Sequence, residues 1–187
     1  MAKAQVRPEK LKDALNAKVS DAVFSLHELR EADKPEINRY WESQTSAVAF
    51  VHAAHGLVPV CETFGDNYPL HPSGFKAWHT SWKAALSLGA LQLWERMYDA
   101  RRFQDHGEGA GFIPHRIEIT RGDQIQGQHN AALLGLAASS GIDNRSWKGG
   151  VRHEAYPDRP VSEVCAEYLE LCQRFVADFL RDHAIIP

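Results

Sequence analysis

The chain has 187 residues, enough for one domain whose core hides about two-thirds of the surface of the unfolded chain. An apolar share of 44%, a charged share of 24% and a formal charge of -3 exclude a disordered chain and a globally basic nucleic-acid binder, while leaving room for a local basic patch. No uninterrupted apolar run approaches membrane-spanning length, and Cys61, Cys165 and Cys172 form no CxxC pair, so no membrane span, disulfide framework or cysteine zinc site is expected.

The opening MAKAQVRPEKLKDALN lacks an apolar signal segment, which predicts a cytoplasmic protein. From about Pro8 to Glu31, Leu11, Ala14, Leu15, Val19, Ala22, Val23, Leu26 and Leu29 recur at three- and four-residue steps. That period is one apolar stripe on a half-exposed helix. A second helix is expected from about Lys34 to Phe64. Asp33 is placed to cap it, Pro35 fits its first turn and Glu36 can close a capping box. It becomes apolar on most sides after Thr45 and should be central, with a kink or an end at Pro59.

A third helix is expected from about Ser73, its cap, to Phe103, carrying Trp78, Trp82, Leu86, Leu93, Trp94 and Met97. The segment from about Asp105 to Asp158 is of another character. Asp105–Gly111 reads as a glycine-rich loop, Ile113–Thr120 as a short extended piece, and Gln128–Ser140 as a short buried helix. A long irregular stretch inside a compact domain points to function. The last helix, about Arg159 to His183, has the cleanest stripe of all, with Asp158 and Pro160 as its start signal. The expectation is a single all-α domain over 1–187: a bundle of four long helices with an irregular insert and a short extra helix before the last. The apolar surplus on the third and fourth helices predicts a homodimer.

Three groups of residues can carry chemistry. His52 and His55 stand three apart on one helix face and could share a divalent metal with His79, His27 or Glu62. Arg101 and His106 are an arginine and a histidine separated by four residues, at the end of the third helix, where basic residues also complement the helix dipole. Arg145, Lys148, Arg152 and His153 crowd cations around an imidazole, with Trp147 among them. Such cations hold phosphate oxygens while the imidazole moves a proton.

Asn144-Arg145, then His153-Glu-Ala-Tyr156, then the helix from Arg159 to His183, together with the central segment Arg39–Phe50, resemble the HEPN superfamily. Those are small, often dimeric helical bundles, many of them metal-independent ribonucleases of bacterial defence or toxin–antitoxin systems. The resemblance implies that His153 moves a proton at a ribose 2′-hydroxyl or at the leaving oxygen. It implies that Arg145, Lys148 and Arg152 hold the scissile phosphate, that Trp147, Arg101 and His106 contact the RNA, and that no cofactor is needed. The family's arginine precedes its histidine by four to six positions. Here seven residues separate Arg145 from His153, Lys148 stands at the four-residue spacing, and the strict spacing occurs only at Arg101–His106. Two other functions fit the same layout. One is a metal-dependent hydrolase on a DinB-like bundle bearing His52 and His55. The other is a non-catalytic module that binds a protein partner through an apolar helix face.

Overall fold

The computed structural model describes residues 8–33, 40–67, 74–105, 111–114 and 151–183. They form an all-α bundle with one short β-ribbon. The elements are α1 (Pro8–Ala32), α2 (Tyr40–His55), α3 (Leu57–Asn67), α4 (Gly74–Ala84), α5 (Leu88–Asp105), β1 (Phe112–Pro114), β2 (Val151–His153) and α6 (Val161–Asp182). The expected Gln128–Ser140 helix and the caps Pro35, Glu36 and Ser73 lie outside the described residues.

The α1 stripe buries Leu11, Leu15, Ala22, Leu26 and Leu29 and packs chiefly along α2. Val23, counted in the stripe by period alone, is 48% exposed. The α6 stripe is the bundle's other wall, with Val164, Cys165, Tyr168, Cys172, Phe175 and Phe179 all essentially inaccessible to water.

Two expected long helices are each broken. The second stops at His55 and restarts at Leu57, three residues before the proline expected to break it. Gly56 makes the joint. A Cβ there would stand 2.9 Å from the His52 carbonyl oxygen and 3.2 Å from Cδ of Lys18 on α1. Pro59 then falls in the first turn of α3, where a missing N–H leaves no helical bond unmade. The third is split between Ala84 and Leu88. Ser87 caps the second piece, its Oγ accepting the Ala90 N–H at 3.3 Å, and Lys83 reaches across the joint to Glu95 at 2.8 Å.

The pieces close around an aromatic layer. Trp82 meets Trp94 edge-on at 4.8 Å and Phe175 at 5.0 Å, and Trp78 meets Phe179 at 5.3 Å. The two α4 indoles keep their N–H groups satisfied by α6, Trp78 donating to Asp182 at 3.1 Å and Trp82 to Asp178 at 3.0 Å. At Gly65 the α3 backbone lies so close to α4 that an added Cβ would stand 2.9 Å from Cβ of Phe75.

The ribbon pairs β1 and β2 antiparallel, Phe112 opposite His153 and Pro114 opposite Val151. Gly111 opens it with φ +68°, in the left-handed region that costs glycine nothing, and accepts the Glu154 N–H at 2.9 Å. Asp33, expected to cap the second helix, instead turns its Oδ1 toward the Val151 N–H at 3.4 Å, tying the end of α1 to the ribbon. One stretch of the described residues, Glu42–Asp66, is apolar and long enough on average to cross a membrane, although charged and polar residues interrupt it. Its most apolar 18-residue window is 61% buried inside the bundle.

Candidate functional site

Polar side chains line a cleft of about 610 Å³ between α1, the α2–α3 joint and the C-terminal half of α5. On α1, Lys18, Asp21 and Ser25 follow one another at three- and four-residue steps, so they form one line along the helix, with Phe24 beside them. On the opposite wall stand His52 and Ala53 of α2, Gly56, and Pro59 and Val60 of α3. Arg101 of α5 also lines it. The Gly56 joint matters here, because the missing side chain is what lets the Lys18 stem lie against the α2–α3 corner.

The cleft presents two cations, one carboxylate, one imidazole, one hydroxyl and one aromatic ring. Lys18 and Arg101 suit an anion, Arg101 by a planar fork of donors and Lys18 as a point charge. The volume falls within the roughly 300–1,000 Å³ of small-ligand sites. Phe24, a large apolar side chain, is 65% exposed.

His55 and His52 part company. His52 lines the cleft, while His55 turns into the bundle and hydrogen-bonds through Nδ1 with the Tyr168 hydroxyl at 2.7 Å. Its ring lies 5.8 Å from Trp94 and 5.1 Å from Tyr98. Burial holds its pKa down to about 3, with the Arg101 and His79 charges adding to the effect. His79 sits on the other side of Trp94, 5.8 Å away, and burial lowers it to about 4, helped by Lys83 and opposed by Glu95. Its Nε2 is buried with no hydrogen-bond partner among the described residues. His27 and Glu62 are exposed. Among the described residues no three histidine, cysteine or acidic side chains come together as a metal site.

His153 is 3% exposed, at the end of β2. Its Nδ1 accepts the Ala155 N–H at 3.1 Å, which leaves the proton of the neutral ring on Nε2. Phe112 and Tyr156 pack against the ring at 5.5 and 5.8 Å. Burial lowers its pKa; Glu154 opposes that shift and Arg96 adds to it. Arg152 is half-buried and donates through Nη1 to the Val151 carbonyl at 3.2 Å. Arg101 bears on His55 and Tyr168, whereas the arginine whose charge reaches His153 is Arg96, five residues earlier on α5. Arg145, Trp147, Lys148 and His106 lie outside the described residues.

Of the residues singled out by sequence, then, the cleft gathers Arg101 and His52. It adds Lys18, Asp21, Phe24 and Ser25, which periodicity alone passed over. One signal for them was present: a phenylalanine off the apolar stripe of α1, three residues after an aspartate.

Comparison with known proteins gave no match: no protein-family model fits the chain, and no curated protein or solved structure is significantly similar to it.

Proposed function

We propose that this protein is a HEPN-like, metal-independent ribonuclease of the cytoplasm, of the kind found in bacterial defence and toxin–antitoxin systems, and that it works as a homodimer. The observation that carries the reading is the place of Arg101. It begins the strict arginine–histidine spacing with His106, and its side chain lines an open cleft with Lys18 and His52.

In this reading Arg101 and Lys18 hold the scissile phosphate and offset its growing charge. One imidazole takes the proton from the ribose 2′-hydroxyl as its oxygen attacks phosphorus, and a second gives a proton to the departing 5′ oxygen, leaving a cyclic phosphate. His106 and His52 are the pair for those tasks. His153 is buried outside that cleft with Nδ1 already engaged, so in this reading it steadies the ribbon and does not take the proton. Arg145, Lys148 and Arg152 extend the hold on the backbone, and Trp147 stacks on a base.

The test is cleavage of a labelled single-stranded RNA in the presence of EDTA by the wild type and by Arg101→Ala, His106→Ala and His153→Ala, each checked for folding by circular dichroism. Loss of one proton-moving imidazole costs about 10²–10⁴ in rate, so His106→Ala should fall by at least a hundredfold, and Arg101→Ala with it. His153→Ala should fall less. Unchanged cleavage by Arg101→Ala and His106→Ala would overturn the reading. So would activity lost to EDTA with about one divalent metal per chain, which belongs to a metal hydrolase. A wild type without RNA cleavage that binds a protein tightly belongs to an interaction module.

A further inference from the structure

We infer that the same cleft selects its RNA by base, and that guanine is the base it takes, with Phe24 as the stacking surface and Asp21 as the reader. The inference rests on the RNA reading above. It adds the element that reading lacks, a reason for this cleft to prefer one sequence over another.

The α1 wall has two parts with different chemistry. Lys18 and Arg101 both line the cleft, and such cations suit a phosphate whatever base is attached. One turn further along, Asp21 and Phe24 stand three residues apart on the same helix face, both exposed. A carboxylate is out of place in a site that only holds phosphates, since it repels them. It is in place if a base edge with N–H donors lies against it. Asp21 is exposed and lines the cleft, so a ligand there can reach its acceptor oxygens.

The four bases differ in what they offer such a group. Guanine presents two adjacent donors, N1–H and the N2 amino group, at the spacing of the two carboxylate oxygens. Adenine and cytosine each offer one amino group next to an acceptor that a carboxylate repels, and uracil offers one N–H between two acceptors. Stacking on Phe24 serves every base alike. The ring therefore supplies affinity, the carboxylate supplies choice, and Ser25 adds a hydroxyl one helical turn beyond Asp21 that can meet a carbonyl oxygen. The roughly 610 Å³ volume accommodates a nucleotide and part of its neighbour.

The experiment uses the full chain and two fluorescein-labelled, cleavage-resistant 2′-fluoro octamers, one all uridine and one with a single internal guanosine. Binding is read by anisotropy. The wild type should favour the guanosine octamer on the order of tenfold, the value of one bidentate base contact. Asp21→Ala should reduce that preference below twofold and leave the all-uridine affinity unchanged or improved. Phe24→Ala should weaken both octamers by a similar factor, on the order of tenfold. Both positions are exposed, so neither variant threatens the fold. Equal wild-type affinity for the two octamers, or a guanosine preference that survives Asp21→Ala, overturns base selection by this cleft. Weakening of the all-uridine octamer by Arg101→Ala in that same series would leave the RNA reading standing. Failure of the wild type to bind either octamer overturns both.

Discussion

Replacing His55 by asparagine should flatten the acid side of the protein's stability curve. In the folded chain burial holds this imidazole's pKa down to about 3, against about 6.5 when exposed. Between those values the unfolded chain binds one more proton than the native one. Stability contributed by the neutral ring is therefore complete above pH 6.5 and is lost as pH falls toward 3. The loss from this one group between pH 7 and pH 5 is about 2 kcal/mol, and it hardly depends on the folded pKa as long as that stays below 4. Asparagine sets an amide near the position of Nδ1, keeps a hydrogen-bond partner for Tyr168, and does not titrate. Urea midpoints followed by far-UV circular dichroism at pH 7, 6 and 5 would give both curves. The variant should be less stable at pH 7 because it fills less of the space beside Trp94, yet the gap should narrow by about 2 kcal/mol at pH 5. His79 and His153, lowered in the same direction, leave a residual acid slope in both proteins. Parallel curves would refute the assignment of a buried, neutral His55.

Two further outcomes follow from packing alone. Gly65→Ala puts a methyl group 2.9 Å from Cβ of Phe75, and overpacking of that kind should lower stability by about 1–3 kcal/mol in a thermal or urea melt. All three thiols are buried, with Cys61 and Cys165 pushed well above their ordinary pKa and Cys172 pushed up to about 12. A disulfide reagent at pH 8 should then titrate almost no thiol in the native protein and all of them in denaturant.

The helix stripes were legible because a 3.6-residue period is written directly in residue type. Leu11, Leu15, Leu26 and Leu29 on α1, and Val164, Tyr168, Phe175 and Phe179 on α6, are buried as their spacing implies. The joints were less legible. Pro59 drew attention as a breaker, but a proline in a first turn is harmless, and the break sits at Gly56, where crowding against Lys18 rewards the absence of a side chain. Asp33 shows the same limit: its oxygen can cap a following helix or accept from a strand more than a hundred residues away, and only tertiary proximity decides. The His52–His55 pair was read correctly as neighbours on one helix. Three residues still rotate a side chain by tens of degrees, and that separates a cleft wall from a core hydrogen bond with α6. The cleft itself joins residues 18, 52 and 101, which no local pattern connects.

The two-stranded ribbon also bears on the closing of the chain between its strands. Its ladder fixes Pro114 opposite Val151, so two residues far apart in sequence are held side by side. The entropy of closing a loop grows with the logarithm of its length, about 0.6 kcal/mol for each doubling. The closure term alone therefore changes little with the number of residues that run between the strands. The ribbon thereby sets the two ends of that interval at one place beside α2, whatever its length.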